Sequence, residues 1–195
     1  MQWRNTASRY GYIATTLHWV IVGGIVAQYF LAEAAEEREH APAGSFDAAA
    51  MHTSIGLTIL ALAALRVLWR LVELPPSHPQ TMRRYERILA RSAHIAFYVL
   101  LFALPLSGWA LATADQQAIS FFGLFDLPQL RIGAQLPIAG GTLTEDQLEE
   151  LHEALFNGLL ALAVVHIAAA LKHHFIDRVT VLRSMLPWSG RRRAR

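Results

Sequence analysis

Four long apolar stretches restrict what this chain can become. Residues 12–31, 53–72, 93–114 and 151–171 each offer the run of about 20 helical residues that crosses a hydrocarbon core of roughly 30 Å. At 54% hydrophobic residues and a mean hydropathy of +0.31, the chain is also more apolar than a soluble domain of 195 residues needs to be. The expected fold is all-α, a single integral membrane domain over 1–195 forming an up-down-up-down four-helix bundle. Its helices are expected over about 12–31, 53–72, 93–114 and 145–175, the last starting before the membrane because Thr144 and Gln147 make a capping box.

The first stretch has some features of a signal peptide, with Arg4 and Arg9 before it and Ala32-Glu33-Ala34 after it. Its apolar run is longer than a signal core and contains His18, so it is read as a retained helix.

Charge sets the orientation. All the Lys and Arg residues except Arg38 and Arg131 fall in the N-terminus, around the second connection or toward the C-terminus, which ends in Arg191-Arg192-Arg193-Ala194-Arg195. The first and third connections are instead rich in Glu and Asp. By the positive-inside rule both termini are cytoplasmic. The basic pI of about 9.3 then describes a rim that meets membrane lipid, and no nucleic-acid partner is expected.

Pro75-Pro76 should stop the second helix, Pro42 and Gly44 mark the first outer loop, and Pro105 falls within the third span. The long connection 115–143, with Phe121, Phe122, Leu124, Phe125 and Leu127, reads as a piece lying on the membrane surface or a lid. Cysteine is absent, which excludes covalent haem attachment, thiolate-held iron–sulfur clusters and disulfides.

Ionisable groups inside a span are costly and imply function with a partner. His152 and His166 are 14 residues apart on the fourth helix, about 21 Å of rise with a net rotation of roughly 40°, so both face the same neighbours at different depths. His18, 6 residues past Tyr12, should lie level with His166, 6 residues before Lys172. His52 and His152 head their helices at the outer face and form the second level pair. Each pair can grip one iron through imidazole nitrogens, which implies two stacked haem groups. Bis-histidine ligation fills both axial positions, as suits electron transfer. A histidine in a span can also simply hydrogen-bond to a neighbouring helix, but four at two matched depths argue for haem.

Arg66, 14 residues after His52, returns to nearly the same face and can pair with a haem propionate, or else snorkel to the surface. His94, His173 and His174 fall near the cytoplasmic rim, where a histidine can deliver protons to a quinone or be merely solvated. His40 and His78 read as solvated loop residues.

The sequence resembles the bacterial cytochrome b561 family, related to the b-type cytochrome subunits of membrane hydrogenases. The resemblance rests on Leu17-His18-Trp19, Met51-His52, the run Arg66-Val67-Leu68-Trp69-Arg70-Leu71, Ala103-Leu104-Pro105, His152-Glu153, His166, and Ala169-Ala170-Leu171-Lys172-His173-His174. It implies two haem b held by His18, His52, His152 and His166, ubiquinone as the membrane partner, and His173 as a quinone contact. Some members oxidise superoxide and reduce ubiquinone. Against that activity here, the first outer loop reads Glu33-Ala34-Ala35-Glu36-Glu37-Arg38-Glu39, a field that repels an anion.

Three functions therefore compete. The first is an electron carrier between a periplasmic donor and the quinone pool. The second is an enzyme, a superoxide:quinone oxidoreductase. The third is a haem-free membrane anchor or a metal transporter, disfavoured because the apolar helices offer few polar steps between the histidines.

Overall fold

The computed structural model describes residues 2–6, 9–37, 47–76, 82–114, 119–129, 143–179 and 181–186. The expectations for Pro42, Gly44, His40, His78 and the arginine tail 191–195 lie outside the described residues, as does part of the connection 115–143.

Among the described residues, the chain is all-α apart from one short hairpin. Helix α1 spans Tyr12–Glu37, α2 Ala48–Val72, α3 Arg84–Ala114 and α4 Glu145–Phe175, followed by the single turn α5 at Val181–Ser184. Each of the four long helices is apolar and long enough to cross a membrane, and no more than 22% of the residues in any of their apolar windows is buried. Phe30 is 64% exposed, Leu71 75% and Val165 64%. Helices that expose this much hydrocarbon on most of their circumference are solvated by lipid, and the protein is an all-α transmembrane bundle.

All four of these helices run beyond the apolar stretches, because hydropathy marks the part in lipid whereas capping marks the helix end. The Asp47 carboxylate accepts from the Ala50 N–H at 2.8 Å, so α2 starts ahead of residue 53. Glu86 accepts from the Arg83 N–H at 3.0 Å, so α3 starts ahead of residue 93. On α4 the expected capping box is formed: the Gln147 N–H donates to Thr144 Oγ1 at 3.3 Å and the Thr144 N–H to Gln147 Oε1 at 3.0 Å. Glu145 and Asp146 in its first turn and Lys172, His173 and His174 in its last complement the helix dipole. Helix α2 ends just ahead of Pro75-Pro76, and α3 continues through Pro105.

The contacts fall into two compact units. The first comprises Met1–Ile21, Leu62–Val99 and Leu159–Arg195. Here Asn5 ties the chain ahead of α1 to the end of α2, receiving the Gly11 N–H at 2.8 Å and donating to the Leu74 carbonyl at 3.1 Å. Gly11 is required there, since a Cβ would overlap the Trp3 carbonyl. The Trp19 indole donates to the Met185 carbonyl at 2.7 Å and so fastens the chain after α5 to α1.

The second unit comprises Val22–Ala61 and Leu100–Gly158. Tyr29 on α1 stacks on Phe156 of α4, with ring centroids 6.3 Å apart. Strands β1 (Ser120–Phe121) and β2 (Phe125–Asp126) form an antiparallel hairpin, reversed by left-handed φ at Phe122 (51°) and Gly123 (70°). Ser54, 1% exposed on α2, holds this hairpin by accepting the Phe122 N–H at 3.0 Å.

Candidate haem-ligating sites

In the second unit, α2 and α4 bring His52 and His152 face to face, with ring centroids 6.3 Å apart and planes at 64°. One metal ion shared by two imidazoles needs about 2 Å to each nitrogen and about 1 Å from nitrogen to ring centre, hence a centroid separation of about 6 Å. The separation fits a bis-histidine metal.

The protonation pattern fits as well. Ser107 on α3 donates its only hydroxyl proton to the Leu104 carbonyl at 2.8 Å and lies 2.9 Å from His152 Nδ1. It must therefore accept from Nδ1–H, which leaves Nε2 of His152 with its lone pair free for a metal. The next residue, Gly108, lets the ring sit there: a Cβ would stand 2.9 Å from His152 Cε1. A cavity of about 350 Å³ is lined by both histidines, by small residues such as Ala49, Gly56, Gly108 and Ala112, and by Glu145 and Glu149.

In the first unit, His166 on α4 is approached edge-on by Phe97 at 5.2 Å and by His94 at 5.7 Å, both from α3. His18 on α1 lies within electrostatic reach of Arg66, His166 and His94. The Arg66 guanidinium, half-buried, stands 3.5 Å from the Ala14 carbonyl. Arg66 thus lies near both His18 and His166. His94, read from the sequence as a rim residue, instead joins this group.

His173 and His174 part company. His173, 9% exposed, points Nδ1 at the Asp177 carboxylate at 2.6 Å; a carboxylate only accepts, so Nδ1 carries the proton. Lys172 bridges Asp177 at 2.8 Å and Glu86 at 2.5 Å. The hydrogen bond from Lys172, then that from His173, holds the Asp177 carboxyl below the usual carboxylate range. Glu86, His173 and Asp177 are spaced like metal ligands, but the Lys172 ammonium already serves both carboxylates, so this cluster carries its own cation. His174 lies edge-on to Phe175, and its Nδ1 is buried without a hydrogen-bond partner among the described residues.

Sequence reasoning passed over Ser107, Gly108, Gln28, Glu86 and Asp177. Of these, Gln28 carried a readable signal, an amide inside an apolar span. Ser107 and Gly108 are small residues of a kind common in membrane helices, and only the packing distinguishes them.

Comparison with known proteins shows the family. The family described as prokaryotic cytochrome b561 matches residues 9–188. The chain is 35% identical over 188 residues to cytochrome b561 homolog 2 of Escherichia coli (strain K12), covering 95% of each chain. It is 26% identical to cytochrome b561 homolog 1 of the same organism, over 88% of this chain and 93% of that one. A protein of Yersinia pestis named "Probable superoxide oxidase CybB" is 28% identical over 92% of this chain and 96% of its own. With the match running through all four transmembrane helices, this bacterial membrane protein belongs to the prokaryotic cytochrome b561 family.

Proposed function

We propose that this chain holds two haem b, one between His52 and His152 and one between His18 and His166, and carries electrons between a periplasmic-side donor and the membrane quinone pool. The observation that carries this reading is the 6.3 Å separation of the His52 and His152 rings beside a cavity, with the His152 tautomer already set for a metal. Haem iron, when bound, supplies a one-electron couple.

The chain's own residues do the rest. Two imidazoles holding each iron would favour electron transfer over oxygen binding. The apolar helices exclude water and so tune the potential. Arg66 is the candidate partner for a propionate of the His18/His166 haem. His173, its Nδ1 proton committed to Asp177, keeps the Nε2 lone pair to accept the hydroxyl proton of a quinol, and His94 and His174 are further candidates for proton transfer. The charge distribution supports an inner-membrane location with both termini in the cytoplasm.

A second reading, superoxide oxidation coupled to ubiquinone reduction, draws on the Yersinia pestis relative. Glu145 and Glu149 beside the cavity oppose it by repelling an anion.

A pyridine haemochrome assay on the purified membrane protein tests the main reading, which expects haem b at two per chain. A colourless protein would instead support a haem-free anchor or a metal transporter, and a single haem would remove one of the two pairs.

A further inference from the structure

The two histidines beside the cavity are not held alike. His152 has its Nδ1 proton on Ser107. His52 Nδ1 is buried with no hydrogen-bond partner among the described residues. Leaving a buried imidazole N–H unpaired costs about 1–3 kcal/mol, and a metal-ligating histidine almost always gives its second nitrogen an acceptor.

An unused acceptor lies on α1. Gln28 on α1 donates through Nε2 to the backbone carbonyl of His52 itself at 2.9 Å, which places the amide over that residue. Its other atom, Oε1, is also buried and without a partner. With the ring proton on Nδ1, as ligation through Nε2 requires, the two orphans are complementary: one N–H without an acceptor, one carbonyl oxygen without a donor. Gln28 also lines the cavity, and Gly56, one turn along α2 from His52, leaves the amide its room, since a Cβ there would stand 3.0 Å from Gln28 Nε2. A leucine in place of Gln28 would serve lipid and packing equally well, so an amide here needs a polar reason.

We propose that Gln28 is the positioning residue for His52 in the haem-loaded protein. Its Oε1 accepts from His52 Nδ1–H, as Ser107 accepts from His152, and so directs His52 Nε2 to the iron. This inference rests on the proposal that His52 ligates haem. It reaches beyond it by assigning the residue that fixes the tautomer and raises the basicity of that ligand.

The test measures haem content, the midpoint potential of each haem and the ferric low-spin electron paramagnetic resonance signals of Gln28→Leu and Gln28→Glu, beside His52→Ala. Removing the acceptor makes His52 a weaker donor to ferric iron. Gln28→Leu should therefore raise the potential of one haem only, by about a tenfold loss of ferric preference, which is about 59 mV for one electron. The resonance signal of that haem should change with it. Gln28→Glu retains an acceptor, so its potential should stay at or below that of the parent. Loss of that haem alone in Gln28→Leu, with retention in Gln28→Glu, supports the same assignment. An unchanged potential in Gln28→Leu, equal shifts in both variants, or a shift with an unaltered resonance signal would overturn it. If His52→Ala keeps both haems, the ligand reading itself is wrong. If His52→Ala loses the haem whose potential Gln28→Leu leaves alone, only the role of Gln28 falls.

Discussion

Ser107 and His152 share one proton arrangement: the serine hydroxyl spends its proton on the Leu104 carbonyl and can meet His152 Nδ1, 2.9 Å away, only as an acceptor. One side chain on α3 thus decides which nitrogen of a histidine on α4 is free. Replacing it tests whether that order matters. Ser107→Ala should weaken retention of the His52/His152 haem by about tenfold or more, the usual effect of removing a ligand's hydrogen-bond partner. Ser107→Thr should restore it. Haem remaining after a detergent wash, read from the Soret absorbance, is the measurement, and equal retention in all three proteins would discount the serine.

Gly108 makes the complementary steric prediction. With a Cβ placed 2.9 Å from His152 Cε1, Gly108→Ala must push the ring away from its position opposite His52. Loss of one haem of the two is expected. Gly158 on α4 is the control, because nothing lies within 4 Å of a Cβ there. Gly158→Ala should keep both haems and gain roughly 0.5–1 kcal/mol of helix stability. Matching haem losses in the two variants would show a general helix effect instead.

In the first unit the prediction separates two histidines that both lie near His166. His18→Ala should abolish the His18/His166 haem while sparing the other. His94→Leu should leave two haems per chain, because its ring meets His166 edge-on at 5.7 Å as a neighbour. The reverse pattern in a haemochrome and redox titration would exchange their roles and make His94 the ligand.

Much of this architecture was legible because two simple signals govern it. Lipid demands long apolar helices, and a histidine inside one is conspicuous, so the four spans and the histidines on them could be read by counting along the helices. The helix ends at Ala48 and Arg84 could not be read from hydropathy, since the caps at Asp47 and Glu86 are side-chain hydrogen bonds that an apolar run does not mark. The β1–β2 hairpin was missed because two-residue strands show no alternation. Nor could spacing show that His173 and His174, adjacent in sequence, differ so sharply. That depends on Asp177, one turn further on, reaching the first and not the second.

The Asp177 carboxyl gives a pH prediction. Its pKa is lowered in the folded protein, chiefly by the Lys172 hydrogen bond and then by that of His173. A lowered carboxylate contributes stability that is fully present above its unfolded pKa, about 3.9, and is lost as pH falls through the lower folded value. Hydrogen exchange at the Val179 amide, which donates to the His173 carbonyl at 2.9 Å, reports this end of α4. Protection there should be constant from pH 7 to about 5 after correction for intrinsic rates, then fall below about 4. In Asp177→Asn it should be lower at neutral pH and lack the acid step. A step of equal size in the variant would assign it to another carboxylate.

Glu145 and Glu149, both exposed beside the His52/His152 cavity, make the two proposed functions diverge. Negative charge at an entrance slows an anionic reductant and speeds a cationic one, and salt weakens both effects. An electron carrier served by a basic donor should therefore be reduced more slowly as ionic strength rises. Its slow reduction by superoxide should change the opposite way. Glu145→Gln with Glu149→Gln should raise the superoxide rate by about twofold or more at low salt and lower the rate with a basic donor. Stopped-flow absorbance at the haem band reads both reactions in the same protein. Fast reduction by superoxide that slows with salt would mean that positive charge governs the entrance despite these two carboxylates, and the oxidase reading would then replace the carrier.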